Sequence, residues 1–171
     1  MSSTWSRLKK IYGFIFNNKN LPEDLVPYWD FDAPKIPDEP RDASAAACTA
    51  SALYELSTYI PGKGYKEKAD KIMESLASPA YRAEVGTNGN FILMHSVGSI
   101  PHGAEIDVPL NYADYYFLEA LMRKRDLEKM KKPVEYIVRW FRVVRLAGLQ
   151  GSTGRTSPTT QCDLCLSRPV S

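Results

Sequence analysis

Carboxylates are the side chains of this sequence that could act as a general acid and base, the pair that glycosidic hydrolysis usually requires. Asp30 and Asp32 are two residues apart in an extended segment, so they are expected to point to opposite sides of it. Asp42 is placed to cap a helix, and Asp107 and Asp114 lie on either side of a loop-to-helix junction. Their spacing therefore predicts no facing catalytic pair.

The histidines, His95 and His102, lie in a loop short enough to bring them close together. Neither HxxxH nor HExxH occurs, so the pattern predicts no metal site. His95 could line a substrate site or simply pack on the surface, and both interpretations stay open. Cys162 and Cys165 form a CxxC without a second pair, which gives little support for zinc or redox chemistry.

An aromatic loop precedes the alanine-rich stretch of the chain. The prolines between Pro27 and Pro40 remove backbone donors and fix φ, which predicts a stiff, irregular segment. Within it, Trp29 offers a ring face that could stack on a sugar, and the nearby carboxylates could hold hydroxyl groups. Packing of the aromatic side chains onto the domain explains the same residues equally well.

Length and composition predict one folded core, since 171 residues are 44% hydrophobic and 25% charged. No apolar run is long enough to span a membrane and no signal peptide is indicated, so a cytoplasmic or a periplasmic location stays open for a full-length parent. Residues 1–127 carry 14 basic and 17 acidic residues, whereas residues 128–171 carry 8 and 3. This shift predicts a boundary near Leu127, and the mildly acidic body argues against nucleic-acid binding.

Helical periodicity predicts an all-α fold of helical hairpins packed side by side. Helices are expected at about residues 5–17, 43–59 and 66–77 and from Asn111, with Asp114 in a capping box. The many alanines of the second helix and the apolar residues on more than one side of the fourth indicate inner helices, whereas the charged face of the third indicates an outer one. A short strand is expected at Phe91–Met94 and a loop at His95–Pro109. Residues 128–171 are expected to be an atypical basic tail, helical at about 130–147 and disordered beyond.

Two motifs make the sequence recognisable. The run from Pro27 to Pro34 with Pro40–Ala46, and the run from Leu110 to Leu121, resemble the unsaturated glucuronyl hydrolases of glycoside hydrolase family 88. The resemblance covers about residues 10–127. It implies a partial (α/α)6 toroid over residues 1–127, with about half of the helical hairpins of a six-hairpin glycosidase, and it implies no metal and no organic cofactor.

The resemblance also implies a substrate and a reaction. Family members release a 4,5-unsaturated uronic acid from the oligosaccharides that polysaccharide lyases produce, including glycosaminoglycan-type chains. Water adds across the C4–C5 double bond and the resulting hemiketal collapses, with one aspartate as general acid and base and a second assisting. No segment of this chain matches those that carry the two aspartates, so no catalytic residue is assigned.

Substrate contacts are implied at a few positions. Trp5 and Arg7 lie in a segment similar to the one that contacts the uronate, although the residues that follow differ from the family's Gly-Gln-Ala-Trp. His95 and Ser96 lie where family members contact the next sugar, and Trp29 lies in the aromatic loop. Some members read sulfate near that position with two serines and a lysine, of which only Ser96 is present here.

The chain is therefore expected to be the C-terminal half of such a domain and, without the catalytic pair, an inactive fragment. Its expected partner is an unsaturated uronate-terminated oligosaccharide, and its exposed inner helices are expected to promote self-association. The alternative is a non-catalytic carbohydrate-binding or interaction module, and a truncated gene product without function is a third interpretation. A frameshift or a fusion would explain the tail after Leu127.

Overall fold

The computed structural model describes the backbone of residues 3–147 and the side chains of residues 5–129. In this part of the chain, helices and one two-stranded sheet alternate in the order α1, α2, α3, β1, β2, α4. Their bounds are α1 Ser3–Phe16, α2 Ala43–Tyr59, α3 Tyr65–Ala77, β1 Ser96–Ser99, β2 Ala104–Val108 and α4 Asn111–Ala147. The fold is thus mostly helical, as the sequence predicts, with one small sheet that it does not predict.

The N-terminal end of α2 is fixed by its cap. The Asp42 carboxylate accepts hydrogen bonds from the backbone N–H groups of Ser44 and Ala45 at 3.0 and 3.3 Å, which satisfies donors that the helix leaves unpaired. The predicted role of Asp42 as an N-cap is therefore confirmed.

The core lies where α2 packs against α3. Small side chains on α2 allow the two backbones to lie close together, and larger apolar side chains of α3 fill the remaining space. The buried core residues of the two helices are Ala43, Ala46, Ala47, Ala50, Leu53, Tyr54, Tyr65, Ala69, Ile72, Met73 and Leu76. The burial of the α2 alanines agrees with the inner position that the sequence predicts for this helix.

One carboxylate joins three helices at the edge of this core. Asp70 on α3 accepts a hydrogen bond from the Tyr54 hydroxyl of α2 at 2.7 Å and forms ion pairs with Lys66 and with Lys124 of α4. Burial raises the pKa of the Tyr54 hydroxyl, and its hydrogen bond to Asp70 raises it further. The polar contacts at Asp70 thereby link α3 to α2 and to the first part of α4.

The segment before α4 differs from the prediction. The predicted loop at His95–Pro109 contains a β-hairpin, in which β1 pairs antiparallel with β2 and the register is irregular between Ser96 and Val97. The predicted strand at Phe91–Met94 is wrong, since only an isolated bridge from Leu93 to Arg82 occurs there. The residues of β2, Ala104–Val108, alternate between apolar and polar types as a strand does, but the prolines and glycines around this segment favour a loop.

The chain divides into two compact units, Met1–Met130 and Lys131–Ser171. The predicted boundary near Leu127 and the tail at residues 128–171 stay predictions. The helix expected from Asn111 and the one expected at about 130–147 are a single helix, α4. Cys162, Cys165 and the predicted disorder beyond the helix lie outside the described residues. None of the described helices is long and apolar enough to cross a membrane.

Candidate functional site

The segment leading into the hairpin is held by backbone hydrogen bonds at two helix starts. In the first turn of α4, the Asp114 carboxylate accepts the N–H groups of Ile92 and Leu93 at 2.8 and 2.9 Å. The carbonyl of His95 accepts the N–H of Ala43, the first residue of α2, at 2.9 Å. Asp114 therefore anchors this segment, a contact that the capping-box prediction did not foresee, and His95 is fixed at the N-terminal end of α2.

His95 pairs with a residue across the hairpin. Its Nδ1 lies 2.7 Å from Oδ1 of Asp107, and the two side chains are 43% and 53% exposed. Both residues have left-handed backbone conformations, with φ of 60° and 54°. The ring of Tyr81 meets the His95 imidazole edge-on, with ring centroids 6.3 Å apart. This histidine is thus oriented by its partners and open to solvent, which suits contact with a polar ligand.

Ser96 follows directly and is fully buried, and its Oγ has no hydrogen-bond partner among the described residues. A buried hydroxyl without a partner costs free energy, so it needs an explanation. Nearby, the Asp42 carboxylate also accepts a long hydrogen bond of 3.4 Å from the N–H of Val97. Burial raises the pKa of the Tyr112 phenol, and the nearby carboxylates of Asp42 and Glu105 raise it further. The hairpin and the start of α2 therefore share one polar neighbourhood.

Trp29 is half-buried in the aromatic loop. Its Nε1–H donates to Glu39 at 2.9 Å, and its backbone N–H donates to the carbonyl of Pro40 at 3.0 Å. The loop is closed by an antiparallel bridge between Tyr28 and Arg41. Because the polar edge of the indole is used inside the loop, only its ring face remains for a ligand.

Arg41 ties this loop to the core. Its guanidinium donates to the carbonyl of Val26 and pairs with Asp24, and it lies 5.0 Å from the ring centre of Tyr28. Asp24 in turn accepts the hydroxyl of Tyr81 at 2.8 Å. Since Tyr81 also contacts the His95 ring, the aromatic loop and the histidine are connected through Asp24 and Tyr81.

Trp5 and Arg7 lie elsewhere. Trp5 packs edge-on against Tyr59 at the C-terminal end of α2, with ring centroids 6.3 Å apart, and it lines an apolar cavity of about 660 Å³ between α1 and α2. Arg7 is exposed on α1. The 17 residues of α2 separate this end from His95 by about 25 Å. The structure therefore brings His95 and Ser96 together, but it does not bring Trp5 or Arg7 near them.

Asp107 is the residue of this neighbourhood that sequence reasoning missed. The sequence predicts a loop at that point, and the spacing of carboxylates offers Asp107 only as a possible half of a catalytic pair. A hairpin turn that includes Gly103, φ 64°, brings residues 95 and 107 together. No group of three or more metal-ligating side chains gathers anywhere in the described part of the chain.

No protein-family model matches the sequence, but individual proteins are similar to it. The chain is 54% identical over 114 residues to an unsaturated glucuronyl hydrolase of Formosa agariphila, a match covering 67% of this chain and 28% of that protein. It is 34% identical over 108 residues to an unsaturated chondroitin disaccharide hydrolase of Streptococcus agalactiae, covering 60% of this chain and 27% of that protein. The chain thus spans less than a third of these two relatives.

Solved structures give the same result. A crystal structure of an unsaturated glucuronyl hydrolase specific for heparin superposes with a TM-score of 0.70 at 48% identity, over 72% of this chain and 34% of that one. The enzyme from Bacillus sp. GL1 superposes with a TM-score of 0.62 at 27% identity, over 71% and 33%. These neighbours are (α/α)6 toroids, so the predicted partial toroid is confirmed. Over about two thirds of its length, the chain is similar in sequence and fold to the unsaturated glucuronyl hydrolases, and this match covers about a third of their length.

Proposed function

We propose that this chain forms part of the substrate-binding wall of a glycoside hydrolase that releases 4,5-unsaturated uronic acid from glycosaminoglycan-type oligosaccharides by hydration of the C4–C5 double bond. The observation that carries the proposal is the 54% identity over 114 residues to an unsaturated glucuronyl hydrolase. A further neighbour, a variant of the Streptococcus agalactiae enzyme, was solved in complex with dGlcA-GalNAc6S, a disaccharide of this class, and superposes with a TM-score of 0.57 at 30% identity.

The described carboxylates support a binding role more than a catalytic one. Asp42 caps α2, Asp114 binds two backbone amides, Asp70 pairs with lysines and Asp24 pairs with Arg41. A carboxylate that serves as general acid and base must reach the C4–C5 bond and exchange a proton with it. Since these groups are engaged in structural contacts, we propose that the residues of this chain bind and orient the sugar and that the acid–base chemistry belongs to other aspartates.

The proposed contacts centre on His95, with Ser96 next to it in the chain and the ring face of Trp29 in the aromatic loop. The hydroxyl of Ser96 is fully buried and lacks a partner among the described residues, so Ser96 stays a proposed contact by resemblance alone. Trp5 and Arg7 stay proposed uronate contacts by resemblance alone, and their distance from His95 assigns them to a different subsite.

Among substrates, the greater similarity to the heparin-specific enzyme favours an unsaturated heparin-type disaccharide. That structure shares 48% of its aligned residues with this chain, whereas the Streptococcus agalactiae enzyme shares 31%. We therefore expect heparin-type unsaturated disaccharides to bind more tightly than chondroitin-type ones.

The test is to titrate the 171-residue chain with unsaturated heparin-type and chondroitin-type disaccharides, following binding by calorimetry and turnover by the ultraviolet absorbance of the C4–C5 double bond. The matched control ligand is the same disaccharide with its C4–C5 double bond saturated. We expect selective binding of the unsaturated ligand and no loss of absorbance. Turnover by this chain would refute the binding-only role. Equal binding of the unsaturated and the saturated disaccharide would favour a general carbohydrate-binding module. No binding at all would favour a product without function.

We also propose that the chain self-associates through its exposed apolar side chains. On α1, Phe14 is 63% exposed, and on α4, Leu118 and Met122 are 48% and 55% exposed. Side chains of this kind on a helix face favour association when nothing covers them. Sedimentation velocity should show a concentration-dependent mass that falls in the Phe14→Ser and Leu118→Ser variants. A monomer at every concentration would contradict this.

A further inference from the structure

We propose that Asp107 is a positioning residue for His95. It holds the imidazole in the Nδ1–H tautomer, so that Nε2 presents a lone pair and accepts a hydrogen bond from a sugar hydroxyl. This inference rests on the proposed function, because it names the group of the substrate that the site reads.

The hydrogen bond between His95 and Asp107 fixes the tautomer of the neutral imidazole. An ionised carboxylate can only accept, so the 2.7 Å contact between Nδ1 and Asp107 requires a proton on Nδ1. A neutral imidazole with its proton on Nδ1 has an acceptor at Nε2. Among the side chains that the structure describes, none hydrogen-bonds Nε2, and the His95 side chain is 43% exposed.

The backbone holds both partners in position. His95 and Asp107 adopt left-handed conformations, which residues other than glycine rarely do and which occur often at functional sites. The carbonyl of His95 is bound by the N–H of Ala43, and Asp107 lies on β2, whose pairing with β1 is irregular next to Ser96. The imidazole is therefore oriented from both sides of the hairpin and from the start of α2.

Charge selects a hydroxyl over an anionic group as the ligand. Asp107 is itself in contact with the imidazole, and the carboxylates of Asp42 and Glu105 lie close to Tyr112 in the same neighbourhood. Carboxylates repel a sulfate or a uronate carboxylate, whereas a hydroxyl carries no charge and donates to the Nε2 lone pair.

The test uses the ¹⁵N-labelled chain and reads the tautomer of each histidine from long-range ¹H–¹⁵N correlations, then measures disaccharide affinity. The wild type should show the Nδ1–H tautomer at His95. Asp107→Ala should release that preference and weaken binding about five- to tenfold, the loss of one hydrogen bond. His95→Asn, which tolerates a left-handed backbone and keeps a donor towards Asp107, should weaken binding equally because it lacks Nε2.

The hairpin offers a matched control. Ser99 Oγ lies 2.6 Å from Nδ1 of His102, the other histidine of this turn, so Ser99→Ala perturbs a similar pair and should leave affinity unchanged. In the His95→Asn background, Asp107→Ala should weaken binding no further, because Asp107 acts only through His95.

Three results would overturn the inference: an Nε2–H tautomer at His95 in the wild type, additive losses from the two substitutions, or an Asp107→Ala variant that unfolds more easily but binds as tightly. A chain with the Nδ1–H tautomer that binds no unsaturated disaccharide would instead refute the proposed function, and the sugar contact with it.

Discussion

Removal of the Asp114 carboxylate should loosen the whole segment that leads to His95. It accepts two backbone N–H groups, from Ile92 and Leu93, and hydrogen bonds to a charged acceptor contribute about 1.5–3 kcal/mol each. Asp114 is half-buried, so water replaces part of what is lost, and alanine is a better helix former by about 0.5 kcal/mol. We therefore expect Asp114→Ala to lower the free energy of unfolding by about 2–4 kcal/mol.

Urea unfolding followed by far-ultraviolet circular dichroism measures this change, and hydrogen exchange locates it. The amides of Ile92 and Leu93 should exchange faster in the variant than in the wild type, since their acceptor is gone. Asp126→Ala is the matched control on the same helix, because Asp126 is 57% exposed and its ion pairs lie at the surface. That control should change stability by less than about 0.5 kcal/mol. Equal effects of the two variants, with unchanged exchange at the two amides, would refute the reasoning.

Three further substitutions test other contacts. Gly98→Ala should destabilise the hairpin by about 1–3 kcal/mol in thermal melts, because the new Cβ would lie 2.1 Å from the Glu105 carboxylate and 2.8 Å from its Cβ. Arg41→Ala should cost about 1–3 kcal/mol, because the Val26 carbonyl loses its guanidinium donor and Asp24 loses its cationic partner while keeping the Tyr81 hydroxyl. An equally stable variant would show that the contact is dispensable. The pKa of Asp70 is lowered, since burial raises it but hydrogen bonds from two lysines and a tyrosine outweigh burial. Its contribution to stability is therefore present above the unfolded pKa of about 3.9 and lost as the pH falls through the folded value, so Asp70→Asn should flatten the acid limb of a pH–stability profile.

The helices could be predicted because their signals are local. Asp42 before an alanine-rich run predicts a capped, closely packed helix, and the structure confirms the cap and the buried alanines. The toroid follows from no local signal. It came from the resemblance of two motifs, around Pro27 and Leu110, to a known family.

The candidate site was predicted only in part, because its partners are distant in sequence. His95 and Asp107 are 12 residues apart, and only the turn between them makes them neighbours. The five residues of β2 do alternate between apolar and polar types, but the prolines and glycines around them favour a loop. Residue type alone does not predict a left-handed backbone at His95 or Asp107. The capping-box prediction for Asp114 is wrong for a similar reason. Its three-residue spacing from Asn111 is that of a capping box, but its carboxylate accepts the N–H groups of two residues that precede the helix.

The bond between the His95 carbonyl and α2 has a consequence for how this lineage can diversify. This hydrogen bond joins two main-chain atoms, so a substitution at position 95 that keeps the backbone conformation also keeps the bond. The φ of 60° at that position admits chiefly glycine, asparagine, aspartate and histidine without strain. Homologues should therefore carry one of these four residues at that position, and the three with a polar side chain each offer the ligand a different hydrogen-bonding group.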